Sequence, residues 1–385
     1  MFMNKIKIMV VDDSIMFRTW LINNLSRESR FEIIGYAVNA MDAMNKIPLL
    51  KPDVMTLDIE MPGMTGLEFL KQMLPKHPIP VVLVSSLNVR VFDALAAGAV
   101  DFVRKPDDEN HISRDMVLST LISKIKIASQ AHVHLPTAEG FTIANGTVTR
   151  KTASRPTFSG QAAMPLPSGI PGASASGRYP GVLSSKGASI TEDMVLAIGA
   201  STGGTEAILA VMRQFPAKMP GIVITQHMPA GFTSMYAERL NRLCQMEVRE
   251  AKHGDRLTPG LALLAPGGIQ MRLVRMGSGY SVSCVGTDKV SGHCPSVDVL
   301  FDSVANVAKS KAIGVILTGM GADGAAGLLR MRKNGAYTIG QDQESCVVYG
   351  MPMEAYKIGA VCTQTSLEAI PSAVMARLSQ PNQKL

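Results

Sequence analysis

The sequence contains a serine in a context typical of a hydrolytic nucleophile. Residues 199–203 (Gly-Ala-Ser-Thr-Gly) match the G-x-S-x-G pattern of a nucleophile elbow, between an apolar run that predicts a strand and a predicted helix. A glycine-rich loop there could instead cradle a phosphate. However, Thr205 stands where a P-loop requires lysine, and Ser201 replaces the second glycine of G-x-G-x-x-G. The pattern makes Ser201 a candidate nucleophile, but the pattern alone is weak evidence for that role.

A nucleophilic serine needs a base, and the base needs an acid that orients it. The C-terminal half offers three histidines. His227 directly follows the predicted strand 221–225 and its neighbour Gln226, which puts it at the same sheet edge as Ser201. His253 lies in a polar loop, and His293 is the rival candidate for the base.

Asp323 is the candidate for the orienting acid. It follows the strong predicted strand 312–317 in a glycine-rich loop that could bring the carboxylate close to a neighbouring strand end. It could also cap the predicted helix 324–334, and the two roles are compatible. The chain order serine, histidine, aspartate differs from the serine, aspartate, histidine order of α/β-hydrolases.

A second group of polar residues follows predicted strands near the N-terminus. Asp12 and Asp13 follow the first strand, Asp58 ends the third, Ser85 ends the fourth, and Lys105 follows the fifth. In a parallel sheet these ends share one edge. The carboxylates could hold Mg²⁺, which prefers oxygen ligands. Mg²⁺ and Lys105 together could neutralise the charge of a phosphoryl group on Asp58. The Ser85 hydroxyl could then bind the oxygens of that phosphoryl group.

The elements that must position these residues form two α/β units. Five strand–helix units over 5–128 predict a parallel sheet with helices on both faces. Gly, Pro, Ser, Thr and Ala dominate from about 135 to 188, which predicts a flexible linker. A second α/β sheet resumes at 194. The predicted domains are therefore 1–130, a linker at 131–190, and a doubly wound, mainly parallel domain at 191–385.

Composition excludes several classes of protein. The net charge is +7, but residues 136–189 carry five basic residues and one acid, so the linker supplies +4 and the rest +3. No basic stripe with aromatics appears, so nucleic acid is not an expected partner. No apolar run approaches the roughly 18 residues of a membrane span. The five scattered cysteines predict free thiols rather than disulfides or a zinc site. A cytoplasmic protein is expected.

Residues 5–128 resemble a response-regulator receiver domain. The matching segments are Val-Asp-Asp-Ser (11–14), Asp-Ile-Glu-Met-Pro-Gly-Met (58–64), Val-Ser-Ser (84–86) and Arg-Lys-Pro (104–106). The resemblance implies a flavodoxin-like (βα)5 fold and a histidine kinase as phosphodonor. It implies that Asp58 is the phosphoacceptor, and that Asp13, Asp58 and the backbone carbonyl of Glu60 hold Mg²⁺ with help from Asp12.

Residues 194–375 resemble the catalytic domain of chemotaxis protein-glutamate methylesterases, the CheB family. The matching segments are Ile-Gly-Ala-Ser-Thr-Gly-Gly-Thr-Glu-Ala (198–207), Gln-His-Met-Pro-Ala-Gly-Phe-Thr (226–233), Pro-Ser-Val-Asp-Val-Leu-Phe (295–301), Ile-Leu-Thr-Gly-Met-Gly-Ala-Asp-Gly-Ala (316–325) and Ser-Cys-Val-Val-Tyr-Gly-Met-Pro (345–352). The resemblance implies that Ser201, His227 and Asp323 form a triad, with backbone amides near Thr202 and Met320 binding the oxyanion.

The same resemblance implies the reaction and its setting. The expected substrates are glutamyl methyl esters on the cytoplasmic helices of chemoreceptors, together with specific receptor glutamines that are deamidated. No cofactor is expected in the esterase site, and the protein is expected to be a monomer that does not insert into membranes. The long linker permits two docking states. We expect the unphosphorylated receiver to pack over the active-site edge and to loosen when Asp58 is phosphorylated.

Two departures from related chains and two alternative functions stay open. Gln270 stands where relatives often have histidine, and the segment 87–92 is a few residues shorter than in related chains. One alternative function is a receiver joined to an inert hydrolase-like domain that only docks on receptors. The other is an esterase of a chemotaxis-like pathway with an output other than motility.

Overall fold

The computed structural model describes residues 5–86, 90–106, 113–137, 140–143 and 193–379. The predicted linker at 131–190 lies mostly outside these ranges, as does much of the shortened segment at 87–92. Among the described helices, none combines the length and hydropathy that crossing a bilayer requires.

The N-terminal half alternates strands and helices. They are β1 (Ile6–Val11), α1 (Ile15–Leu25), β2 (Phe31–Ala37), α2 (Ala40–Leu50), β3 (Val54–Leu57), α3 (Gly66–Met73), β4 (Val81–Ser85), α4 (Arg90–Ala96), β5 (Asp101–Arg104) and α5 (Arg114–Ala128). The strands pair in parallel in the order β2-β1-β3-β4-β5. This is the predicted flavodoxin-like order, and it confirms the fold class of this half.

Local sequence sets where the helices of this half begin. Ser14 is the N-cap of α1, and its hydroxyl accepts a hydrogen bond from Phe17 N–H. Thr65 and Glu68 form a reciprocal capping box at the start of α3. Every residue of β3 and β4 is buried, as expected of central strands with helices on both faces. Buried strands of this kind hold their carboxyl ends at fixed positions along one sheet edge.

A short antiparallel hairpin follows α5. Its strands are β6 (His134–Thr137) and β7 (Gly140–Ile143). The predicted linker at 131–190 thus includes regular backbone pairing between 134–137 and 140–143. The pairing needs only local backbone hydrogen bonds, which composition does not reveal.

The C-terminal half resumes the α/β alternation. Its elements are β8 (Val195–Ala200), α6 (Gly204–Met212), β9 (Gly221–Gln226), α7 (Phe232–Leu243), β10 (Glu247–Glu250), β11 (Arg256–Leu257), β12 (Leu261–Leu264), β13 (Met271–Met276), β14 (Gly279–Cys284), α8 (Val297–Val307), β15 (Ala312–Ile316), α9 (Ala325–Lys333), β16 (Tyr337–Gln341), α10 (Met351–Lys357), β17 (Thr363–Thr365) and α11 (Ile370–Ser379). Seven strands form a parallel sheet in the order β10-β12-β9-β8-β15-β16-β17. A separate antiparallel sheet has the order β11-β14-β13.

The order of the large sheet positions the candidate site. Strand β8 lies at the centre, with β9 on one side and β15 on the other. Their residues are fully buried. The segments that leave the carboxyl ends of these three strands therefore meet at one point, where open parallel sheets bind ligands.

Aromatic side chains join the two sheets through one apolar interface. Phe92 of α4 stacks on Tyr236 of α7 with ring centroids 5.5 Å apart, and Phe102 of β5 packs on Phe232 at 4.5 Å. All four rings are buried in the same hydrophobic cluster. Burying a large apolar side chain contributes about 1.5–3 kcal/mol, so this interface stabilises the contact between the receiver-like sheet and the larger sheet.

Candidate active site

Ser201 follows the last residue of β8, in a turn that its neighbours make tight. Its N–H donates to Thr318 O at 3.0 Å, and its carbonyl accepts from Gly204 N–H at 2.7 Å. Gly203 has a φ of +76°, a backbone conformation that favours glycine. A Cβ at Gly319 would lie 2.7 Å from Ser201 Cβ. The serine is therefore held by backbone packing that larger residues would disrupt.

Gln226 supports the same turn from the neighbouring strand. Its Nε2 donates to Ser201 O at 2.8 Å and to His227 O at 3.2 Å. The side chain is 3 % exposed. The sequence predicts no role for Gln226, because a polar residue at a strand end does not indicate which loop it will bind. Gln226 therefore hydrogen-bonds to the backbone of both Ser201, the candidate nucleophile, and His227, the candidate base.

His227 and Asp323 form a direct hydrogen bond. His227 Nε2–H donates to Asp323 Oδ2 at 2.7 Å. The backbone N–H of His227 donates to Ala200 O at 3.1 Å, which fixes the histidine beside the end of β8. The other ring nitrogen, Nδ1, is buried and accepts no hydrogen bond from any residue that the structure describes. With Nε2 protonated, Nδ1 carries the lone pair that can accept a proton.

The carboxylate of Asp323 lies at the N-terminus of α8. It accepts hydrogen bonds from the Ser296 hydroxyl at 2.7 Å, from Val297 N–H at 2.7 Å and from Asp298 N–H at 3.1 Å. Burial alone would raise the pKa of Asp323, but the hydrogen bonds from His227, Ser296 and Val297 outweigh it and lower the pKa. The positive end of α8 favours the same ionised form.

The prediction that Asp323 caps the helix that follows it is therefore wrong. The N-cap of α9 is Gly324, and no side chain caps that helix through its N-cap residue. Asp323 caps α8 instead, because the packing of α8 beside α9 brings the unsatisfied N–H groups of α8 to it. In return, Asp298 of α8 accepts a hydrogen bond of 2.7 Å from Gly327 N–H in the first turn of α9.

His293, the rival candidate for the base, stacks on the ring of His227. The ring centroids are 3.7 Å apart and the planes are 9° from parallel. Burial, together with the nearby imidazole of His227, lowers the pKa of His293 to about 4. His293 is therefore neutral near pH 7 and covers one face of the His227 ring.

Ser201 and His227 are neighbours in the backbone but do not share a side-chain hydrogen bond. In the parallel pairing of β8 with β9, Ala200 lies opposite Gln226, so the next residues, Ser201 and His227, leave the sheet side by side. The Ser201 hydroxyl forms no hydrogen bond with a described residue. Catalytic hydrogen bonds are often long before substrate binds. The structure thus joins His227 to Asp323 and sets Ser201 beside them.

The two backbone amides predicted to bind an oxyanion flank Ser201. Thr202 follows it directly, and Met320 follows Gly319, whose carbonyl accepts hydrogen bonds from Gly350 and Met351 N–H groups. The N–H groups of Thr202 and Met320 donate to no acceptor within the described parts of the chain. They are therefore free to bind a developing negative charge.

Thr202 also contacts the receiver-like half. Its hydroxyl donates to Asp101 Oδ2 at 2.6 Å, and Asp101 is the first residue of β5. Lys124 of α5 forms an ion pair with the other carboxylate oxygen. The residue after the candidate nucleophile is thus bonded to a strand of the other sheet.

The predicted phosphorylation site is assembled at the carboxyl edge of the first sheet. Carboxylate oxygens of Asp12, Asp13 and Asp58 lie within 4.8 Å of one another. Lys105 Nζ lies 2.6 Å from Asp58 Oδ2 and 3.0 Å from Asp12 Oδ2. Burial raises the pKa of Asp58, and Lys105 offsets part of that effect. Three hard oxygen donors at this spacing fit a Mg²⁺ ion.

The remaining predicted residues of this edge lie around Asp58. Glu60 N–H donates to Asp58 Oδ1 at 3.2 Å. Ser85 is fully buried, and its hydroxyl has no hydrogen-bond partner among the described residues. A buried hydroxyl without a partner is costly, and a phosphate oxygen on Asp58 is the kind of acceptor that it lacks.

Comparisons with known proteins match both halves of the chain. Residues 196–374 match the family model of the CheB methylesterase, and residues 8–116 match that of the response regulator receiver domain. The crystal structure of the Thermotoga maritima CheB methylesterase catalytic domain covers 48% of this chain and 97% of its own, with 34% sequence identity and a TM-score of 0.47.

Full-length relatives carry both halves. A protein-glutamate methylesterase/protein-glutamine glutaminase 2 of Syntrophomonas wolfei is 47% identical over 378 residues, which is 98% of this chain and 99% of the relative. A protein-glutamate methylesterase/protein-glutamine glutaminase of Syntrophotalea carbinolica is 44% identical over 381 residues, or 98% of each chain. The chain therefore belongs to the CheB family of protein-glutamate methylesterases, whose catalytic domain follows a response-regulator receiver domain.

Proposed function

We propose that this chain hydrolyses glutamyl methyl esters on the cytoplasmic helices of chemoreceptors and deamidates specific receptor glutamines, under control of phosphorylation at Asp58. The names of the relatives support the reaction class. The observation that carries the proposal is the 2.7 Å hydrogen bond between His227 Nε2 and Asp323 Oδ2. That bond leaves Nδ1 of His227 as a base beside Ser201.

The first half-reaction transfers the glutamyl group to Ser201. Its hydroxyl oxygen attacks the ester carbonyl carbon while His227 Nδ1 takes the hydroxyl proton. Asp323 stays ionised and stabilises the imidazolium that forms. The tetrahedral intermediate collapses, and the departing methoxide takes the proton from Nδ1 and leaves as methanol. The ionised form of Asp323 is the one that its hydrogen bonds at the N-terminus of α8 favour.

The second half-reaction releases the product. Water gives a proton to His227 Nδ1 and attacks the glutamyl–serine ester. Ser201 leaves with that proton, and the receptor glutamate is free. A glutamine side chain presents the same carbonyl, with ammonia as the leaving group in place of methanol. One site can therefore perform both hydrolyses.

The N–H groups of Thr202 and Met320 are proposed to bind the oxyanion in both half-reactions. Each such donor is worth roughly 3–4 kcal/mol of transition-state stabilisation in comparable sites. Backbone donors need no reorientation during the reaction, because backbone hydrogen bonds of the preceding residues, Ser201 and Gly319, already fix the two turns.

We also propose that the receiver controls access to this site. Asp12, Asp13 and Asp58 side chains and the Glu60 carbonyl would hold Mg²⁺, which would supply positive charge to a phosphoryl group from a histidine kinase. Lys105 would pair with the phosphoryl oxygens, and the Ser85 hydroxyl would donate to them. The bond between Asp101 and Thr202 supports the idea that the unphosphorylated receiver restrains the nucleophile turn. Receptor helices and kinase would meet the enzyme in the cytoplasm.

Methanol release from methylated receptors tests the proposal. The wild type should release methanol, and Ser201→Ala should release essentially none. Ser234→Ala is a matched control, because its hydroxyl donates only to Gly231 O at the start of α7; it should behave like the wild type. Equal release from the wild type and Ser201→Ala would reject the serine mechanism. Receptor binding without release by the wild type would favour the docking-module alternative.

A further inference from the structure

The buried side chain of Gln270 holds the segment 286–296 at three backbone positions. Its Nε2 donates to Asp288 O at 2.9 Å and to His293 O at 3.2 Å, and its Oε1 accepts from Ser296 N–H at 2.9 Å. The side chain is only 2 % exposed. Both N–H groups and the carbonyl oxygen of this one amide are therefore used within the same segment.

That segment supplies two contacts to the His227–Asp323 pair. The ring of His293 stacks on His227 at 3.7 Å, and the hydroxyl of Ser296 donates to Asp323 Oδ1 at 2.7 Å. Gln270 bonds directly to the backbone of both residues. Gln270 thus binds one residue that stacks on His227 and one that donates to Asp323, but it forms no hydrogen bond with His227 or Asp323 itself.

We propose that Gln270 is a positioning residue that holds His293 and Ser296 against the His227–Asp323 pair. The proposal rests on the proposed function, since it assigns a role within that reaction. Outside the short pairing of Val290 with His293, the segment 286–295 has no regular secondary structure. Without the amide, the buried Ser296 N–H would lose its partner, at about 1–3 kcal/mol, and the carbonyls of Asp288 and His293 would each lose one hydrogen bond. The segment would shift to reach water, and His293 and Ser296 would move with it.

The chemistry of the amide explains why this position is sensitive. A neutral imidazole has one N–H and one acceptor nitrogen, so a histidine could satisfy two of the three backbone groups. A methionine has similar length and apolar volume but can satisfy none of them. Gln270→Met therefore removes the hydrogen bonds while retaining the packing, and Gln270→His should retain part of the function.

Kinetics on the full chain separate positioning from simple stabilisation. We expect kcat of Gln270→Met to fall about tenfold, with KM within twofold of the wild type, because Gln270 is too deeply buried to touch substrate. Gln270→His should lie between the two. Ser281→Ala is the control: it removes a buried hydroxyl on β14 that donates to Asp255 O, just before β11, and it should leave kcat unchanged.

Nitrogen-15 NMR of the histidine rings gives a readout that needs no substrate. The wild type should show His227 as the Nε2–H tautomer, with ring signals displaced by the His293 stack. Both features should weaken in Gln270→Met. Wild-type kcat, wild-type ring signals, or a loss confined to KM in that variant would overturn the proposal. If the wild-type enzyme releases no methanol, the proposed function fails, and the ring signals still decide the role of Gln270.

Discussion

Asp101 of the receiver accepts a 2.6 Å hydrogen bond from the hydroxyl of Thr202, the residue that follows the proposed nucleophile. Both side chains are buried. The Thr202 hydroxyl belongs to the same residue as one of the two backbone N–H groups that we propose as oxyanion donors. A strand of the receiver domain is therefore hydrogen-bonded directly to the turn that carries the proposed nucleophile.

Asp101→Ala should raise the basal esterase activity of the unphosphorylated chain by about ten- to one-hundredfold, since each 1.4 kcal/mol is a factor of ten. Hydrogen bonds to charged groups contribute about 1.5–3 kcal/mol, and removing this one weakens the closed arrangement of the two domains. The measurement is methanol release in the absence of phosphodonor. Asp115→Ala, at an exposed position in the first turn of α5, is the matched control. Unchanged basal activity of Asp101→Ala would remove this bond from the inhibitory mechanism.

Ser296→Ala should lower kcat by about five- to tenfold with little change in KM. Asp323 would keep its hydrogen bonds from Val297 and Asp298 N–H groups but lose the 2.7 Å bond from the Ser296 hydroxyl, so its orientation toward His227 would loosen. Ser303→Ala removes a hydroxyl further along α8 that bonds Leu273 N–H and Leu300 O. That control should lose stability and keep kcat. Similar kcat losses in both variants would indicate a general effect of α8.

The stability of the chain should fall between pH 6.5 and pH 4 in a manner that depends on His293. Burial and the neighbouring His227 hold the pKa of His293 at about 4, whereas an unfolded histidine has a pKa near 6.5. Within this window the unfolded state binds a proton that the folded state does not, so stability decreases as pH falls. His293→Phe cannot take up that proton.

Thermal unfolding at pH 7 and pH 5 measures this effect. The decrease in midpoint on acidification should be smaller for His293→Phe than for the wild type. An equal decrease in the two proteins would show that His293 does not contribute to the pH dependence. Phenylalanine can keep a ring stacked on His227, so the comparison isolates the protonation.

Asp58→Asn should abolish stimulation by acetyl phosphate and leave basal methanol release intact. The residue is the proposed phosphoacceptor, and its carboxylate lies among the proposed Mg²⁺ ligands. Chelating Mg²⁺ with EDTA should have the same effect on the wild type. Asp53→Asn provides the control, because Asp53 precedes the opposite end of β3 and bonds Lys7 N–H. Stimulation that survives Asp58→Asn would assign the phosphoryl group to another residue.

The sequence predicted the elements that position the site because those elements follow simple patterns. The apolar runs of β8, β9 and β15 are long and fully buried, so their ends were located within about one residue. Short edge strands escaped detection. β17 is Thr-Gln-Thr and β10 is Glu-Val-Arg-Glu, and neither has the apolar run that indicates a buried strand. Pairing with a neighbouring strand, rather than composition, makes them strands.

The supporting residues of the site could be predicted only in part. Ser296 precedes an apolar helical run, which is a typical N-cap position, and the structure has it as the N-cap of α8. Its bond to Asp323 depends on the packing of α8 beside α9 and has no local signal. The same holds for Gln226 and Gln270, whose amides bind backbone groups of segments distant in sequence.

Two hydrogen bonds link the starts of α8 and α9 in opposite directions, and they bury Asp323, the proposed catalytic acid, between the helices. Asp323 accepts hydrogen bonds from the first turn of α8, and Asp298 of α8 accepts one from the first turn of α9. Neither helix can leave the other without exposing N–H groups and separating His227 from its acid. A chain in which α8 and α9 have not packed together therefore lacks the His227–Asp323 pair, so methanol release also reports the fraction of chains in which these two helices are docked.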